Sequence, residues 1–249
     1  MHSALLLVDI QHDFLPPSGA LAVPQGDSIL PGAVYRLLDE GKWDLVVASQ
    51  VRLPALPDFH PPSHISFASR HRLPPFSSTS VALPSQRGGG EKEQELWPDH
   101  CVQGTWGCEF DEGVQERLRR IEEGGDGGKV EVVRKGTDID LDAYSAFAVP
   151  LSSANQSESA LTRLLLDSHI TTLVVVGLAT DFCVRATVLA ALEAAAAAKV
   201  QWRVLVVREG VKGVYPEKEE ATLSELREKG AEVVSIEGEE LRPFLRGSH

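Results

Sequence analysis

The chain has 249 residues, 43% hydrophobic and 24% charged, with 36 acidic side chains against 24 basic ones and a formal net charge of -12. That length suits one large α/β domain with its own core, and the acidic balance, with no basic stripe or polybasic run, argues against a nucleic-acid partner or an electrostatic membrane anchor. Three cysteines make a disulfide framework an unlikely reading, and no stretch approaches the roughly twenty apolar residues that span a bilayer, so a protein of a reducing compartment, cytoplasmic or nuclear, is expected.

Ala4 to Val8 is a short apolar run ending in Asp9, which reads as a first buried strand with a carboxylate at its carboxyl end. The segment IQHDFLPPSGAL that follows is a polar, proline-broken loop, and the lack of a GxGxxG here argues against a dinucleotide-binding oxidoreductase. Ser28 to Glu40 carries apolar residues at helical spacing, with Gly41 as a stop, and Trp43 to Ala48 is a second strand. From Gln50 to Glu95 the chain is rich in Pro, Ser, Gly and His with little periodicity. Residues 68–95, holding Gly88-Gly89-Gly90, are expected to be an irregular, mobile insertion.

Asp111 to Ile121 reads as a charged surface helix, Gly124 to Gly128 as a tight turn, and Val130 to Val133 as a strand with Lys135 just past its end. Glu158 to Leu166 is an amphipathic helix feeding Thr171 to Val176, an uninterrupted β-branched and apolar run of the kind buried on both faces of a sheet. From Asp181 onward the chain reads as an alanine-rich helix, with Cys183 at the junction. Val204 to Val207 is a further strand, Pro216 to Lys229 a helix closed by Gly230, and Glu232 to Ile236 a last strand. This alternation predicts an α/β fold: a mostly parallel, Rossmann-like sheet in a three-layer α/β/α arrangement, one domain over residues 1–245. Residues 246–249, Arg-Gly-Ser-His, read as the remnant of a vector-encoded tag.

Asp9, Lys135 and Cys183 all stand at carboxyl ends of predicted strands, where ligands bind in open parallel sheets. Singly they are a turn aspartate, a surface lysine and a core cysteine. Jointly they form a nucleophile with its base and a cation to hold that base. A helix start directs positive dipole at Cys183, which favours the thiolate there. In the irregular region Asp58 and His60 lie two apart on extended chain and point the same way, and His100 follows in WPDHC. A carboxylate and two imidazoles are a ligand set for Zn, Mn or Fe with positions left open. The same stretch reads equally as a histidine-rich loop, since His12, His64 and His71 are also available.

Taken in order, VDIQHDF, DFHPPSHISF, WPDHCVQGTWG, KGTDIDLDAYSAF and GLATDFCV resemble the isochorismatase-like cysteine hydrolases, and within them the nicotinamidases. The resemblance runs from the first strand to the helix after Cys183. It implies the isochorismatase-like hydrolase fold, a catalytic triad of Asp9, Lys135 and Cys183, and one divalent metal, Zn before Mn or Fe, on Asp58, His60 and His100. It further implies an oxyanion hole from the backbone N–H groups of Ala179 and Cys183, a cis peptide bond between Leu178 and Ala179, and a ring pocket walled by Phe14, Trp97 and Tyr144. The implied reaction is deamidation of nicotinamide, and of pyrazinamide, through a thioester, with the small molecule as partner and room for a homo-oligomer. Two departures stand out: Val51 to Pro57 are interposed before the metal motif, and Phe59 stands where the family has tryptophan. His64 is an alternative ligand or a supporting residue, and Cys101 and Cys108 read as packing. The alternatives are a relative acting on another small amide or ureide, and a non-catalytic binding module on the same fold.

Overall fold

The computed structural model of the protein describes residues 2–54, 64–83, 85, 88–124, 128–148 and 158–246. In chain order the elements are β1 (Ser3–Val8), α1 (Tyr35–Glu40), β2 (Leu45–Val51), α2 (Ala68–His71), β3 (Ser78–Ala82), β4 (Glu91–Glu95), α3 (Glu112–Glu123) and β5 (Lys129–Lys135). There follow α4 (Ala160–Asp167), β6 (Thr172–Leu178), α5 (Arg185–Ala198), β7 (Arg203–Lys212), α6 (Glu219–Glu228) and β8 (Glu232–Val234).

Six strands pair in the order β5-β2-β1-β6-β7-β8, every pairing parallel. Every residue of β1, β2 and β6 is buried, which is why these strands read as unbroken apolar runs rather than alternating ones. Alternate side chains nevertheless go to opposite faces. Leu5, Leu7, Val46 and Val174 meet the helical segment ending in α1 together with α3, while Ala4, Leu6, Val47 and Val175 meet α4, α5 and α6. The result is the expected three layers. No helix among the described residues is long and apolar enough to cross a membrane.

The expected helix over Ser28 to Glu40 is a wide π turn, Leu30–Val34, leading into α1, and the expected α-helix from Asp181 opens on a second π turn, Thr180–Val184. Residues 68–95 are also not irregular throughout. They hold α2 and an antiparallel hairpin of β3 and β4, joined through Gly88, Gly89 and Gly90, all at positive φ. The sequences STSVA and EKEQE hide these strands because only Val81 and Gln94 face inward.

The chain leaves β1 for β2 on one side and returns to β6 on the other, so the strand order reverses between β1 and β6. An open parallel sheet offers its crevice at that switch point. Gly177 lets the two strands meet there: it lies opposite Val8 in register, at φ +133, and a Cβ would stand 2.0 Å from the Val8 carbonyl oxygen.

Candidate active site at the carboxyl ends of the strands

Asp9 follows β1 directly and adopts φ +50, a left-handed conformation uncommon outside glycine. Its carboxylate is fully buried, and Oδ2 lies 2.7 Å from Nζ of Lys135, which is itself almost fully buried at the end of β5. Lys135 is the last residue of its strand rather than a residue beyond it. Its ammonium also donates to the carbonyls of Ala143 and Tyr144, which fixes the backbone of the loop that walls the pocket. Burial alone would lower the Lys135 pKa, but Asp9 and Cys183 outweigh it, so the side chain stays charged.

Cys183 lies in the π turn after β6, close enough to Asp9 and Lys135 for both to act on its titration. Here the structure corrects the sequence-based expectation that the helix start makes the thiolate easy to form. Burial pushes the Cys183 thiol well above its ordinary value, and Lys135 offsets only part of this while the Asp9 carboxylate adds to it. The structure brings the three side chains together, and burial favours the Cys183 thiol over the thiolate.

The Leu178–Ala179 peptide bond is cis. The Ala179 carbonyl accepts from the Phe182 and Val184 amides at 3.1 and 3.0 Å, which folds the turn tightly around Cys183. The loop carrying His100 is set by the first motif. Asp13 accepts from the Cys101 amide at 2.6 Å and the Ala20 amide at 3.1 Å, while Gln11 clasps Val51 through both its amide oxygen and its nitrogen.

Phe14, Trp97, His100, Tyr144, Ala179 and Cys183 line one cavity of about 40 Å³. That is room for a few water molecules, so a ring-sized ligand requires the walls to part. Trp97 Nε1 donates to the Tyr144 hydroxyl at 3.1 Å, and Phe14 meets His100 edge-on at 5.5 Å between ring centres. Sequence reasoning missed Phe182, whose ring stands edge-on to Trp97 at 4.9 Å, and Val214, which closes the wall from the loop after β7. Two backbone amides, Val214 and Tyr215, donate to Asp181 at 2.9 Å each and tie that loop to the turn that carries Cys183. A larger cavity, about 510 Å³, opens at the amino ends of β2 and β5 around Trp43 and Gly128, far from the three convergent side chains.

Of the expected metal ligands, Asp58 and His60 lie outside the described residues, and among the described residues no three suitable side chains converge on a metal position. His100 fits the role. Its Nδ1 lies 2.8 Å from the Pro98 carbonyl and must donate to it, which leaves the Nε2 lone pair free, and burial lowers its pKa so that the ring is neutral. His64 does not fit. Its Nδ1 accepts from the Ser66 amide at 3.2 Å and its Nε2 lies 3.3 Å from the Leu141 carbonyl, so both nitrogens are engaged in holding the loop.

Residues 134–238 match the Isochorismatase domain family. Over 237 residues the chain is 35% identical to a nicotinamidase of Escherichia coli, covering 94% of each. The chain belongs to the nicotinamidase family. Its structure superposes on that of a yeast nicotinamidase bound to the inhibitor nicotinaldehyde with a TM-score of 0.76 at 26% identity, covering 94% of this chain and 99% of the other. A pyrazinamidase of Pyrococcus horikoshii in complex with zinc gives 0.63 at 29% identity, covering 94% and 99%. As a family member built on this sheet, the chain has its cluster of thiol, carboxylate and ammonium where the strand order reverses.

Proposed function

We propose that the protein deamidates nicotinamide to nicotinate and ammonia, with Cys183 as nucleophile, Asp9 as its base and Lys135 as the cation that holds Asp9. The observation that carries this is the buried Asp9–Lys135 ion pair beside Cys183, which lines a cavity walled by Phe14, Trp97, Tyr144 and Phe182. Flat aromatic walls suit a flat ring, and the Trp97 to Tyr144 hydrogen bond fixes two of them.

Because sulfur starts protonated, the attack and the proton transfer belong to one step. The Cys183 proton passes to Asp9 as sulfur bonds to the carboxamide carbon, and the carbonyl π electrons move to oxygen, towards the N–H groups of Ala179 and Cys183. When the carbonyl re-forms, the C–N bond breaks and the amide nitrogen takes the proton from Asp9, leaving as ammonia. Asp9 then removes a proton from water as its oxygen attacks the thioester. That proton returns to sulfur when the C–S bond breaks, and the acid, giving its remaining proton to solvent, departs as nicotinate. Throughout, the Lys135 ammonium, 2.7 Å from Oδ2, holds the Asp9 carboxylate in place.

A divalent metal, zinc by the likeness to the pyrazinamidase, would be held by His100 with Asp58 and His60. When bound it supplies a Lewis acid for a ring nitrogen and its own waters. The test is ammonia release from nicotinamide by the purified protein and its Cys183→Ala variant, with pyrazinamide and an amide lacking a ring nitrogen alongside. Turnover of both ring amides, lost in the variant, is expected. Equal turnover by the alanine variant would end the nucleophile assignment, and turnover confined to the amide lacking a ring nitrogen would replace the substrate.

A further inference from the structure

Asp9 is gripped by a residue outside the three-residue cluster, Ser49, which lies opposite Val8 in the pairing of β1 with β2 and is fully buried. The Ser49 hydroxyl donates to Asp9 Oδ1 at 2.6 Å. The same hydroxyl oxygen lies 3.2 Å from the Asp9 amide and the Ser49 carbonyl 3.3 Å from it, so Ser49 holds both the backbone and the side chain of a residue in a left-handed conformation. The two carboxylate oxygens are thereby made unequal. Oδ1 is occupied by a hydroxyl proton, while Oδ2 accepts no oriented hydrogen bond and has the Lys135 ammonium at 2.7 Å.

We propose that Ser49 is a positioning residue that selects the working base: by occupying Oδ1 it leaves Oδ2 to take the Cys183 proton. This rests on the acyl-transfer reading above. The hydroxyl proton fills one lone-pair direction of Oδ1 and fixes the rotation of the carboxylate, while the hold on the left-handed backbone keeps Oδ2 from turning away. The hydroxyl also stabilises the charged carboxylate. The other groups facing Asp9 are Lys135 from β5, Cys183 from the turn after β6, and the buried Cys101 thiol, which burial keeps protonated.

The experiment compares Ser49→Ala, Ser49→Thr and Ser49→Val, the last two having the same shape with and without a hydroxyl. Loss of the hydroxyl is expected to lower kcat by about ten- to a hundredfold, the range of one hydrogen bond to a charged group, with KM changed less than about threefold. The acid limb of the kcat/KM profile should move to higher pH, and Ser49→Thr should restore both values. The pH dependence of Cys183 alkylation, read by peptide mass, should shift in the same direction in Ser49→Val against Ser49→Thr. That readout needs no substrate, so it tests Ser49 even if nicotinamide is not turned over, which would fail only the substrate reading. Equal effects of Ser49→Thr and Ser49→Val on rate and on alkylation would overturn the proposal. If Ser49→Ala does not fold, the Thr and Val pair alone decides.

Discussion

Lys135 and Asp9 form an ion pair with almost no exposure on either side. In that setting removal of one partner strands the other without water, so Lys135→Ala should lower the unfolding free energy by about 3–5 kcal/mol as well as abolish ammonia release. Urea unfolding measured beside activity checks both. His64 gives a pH signature of its own. Burial holds its pKa at about 4 against an ordinary 6.5, so the unfolded chain takes up its proton first as pH falls. Its contribution to stability is complete above about 6.5 and is lost as pH drops towards 4. The urea midpoint should therefore decline between pH 7 and 5, and decline less in His64→Asn, which starts lower because the ring's hydrogen bonds to Ser66 and Leu141 are gone.

Among the elements, the approach of β6 to β1 is the tightest constraint. Gly177→Ala would drive a methyl group to 2.0 Å from the Val8 carbonyl, next to Asp9, from a φ that side chains avoid. A loss of at least about 3 kcal/mol is expected, seen as a fall in Tm, together with lost activity because the displaced strand end carries Asp9, the proposed base. The buried strands were legible in the sequence because β1, β2 and β6 are apolar on both faces. The β3–β4 hairpin was not, since its strands bury only Val81 and Gln94 between polar neighbours and leave no period to detect. The π turns at Leu30–Val34 and Thr180–Val184 were equally invisible, because one extra residue in a turn does not disturb the composition on which a helix is recognised.

For the molecule as a whole, the sheet and its two flanking layers form continuous apolar cores on either face. Stripping the metal with a chelator should therefore leave the far-UV circular dichroism unchanged while raising KM for nicotinamide more than for an amide without a ring nitrogen. Unchanged KM and rate in a preparation shown to be metal-free would remove the metal from the proposal.

The alternation of strands and helices, and the placing of Asp9, Lys135 and Cys183 at strand ends, came from the sequence alone, since burial pattern and chain order are local properties. What tertiary structure decided is which distant groups meet. Ser49 is an unremarkable serine until β2 lies beside β1, and Phe182 and Val214 become pocket walls only through the packing of separate loops. The protonation of the thiol was likewise undecidable beforehand. It depends on a balance between desolvation and two opposite charges, and that balance exists only once the sulfur, the carboxylate and the ammonium are buried side by side.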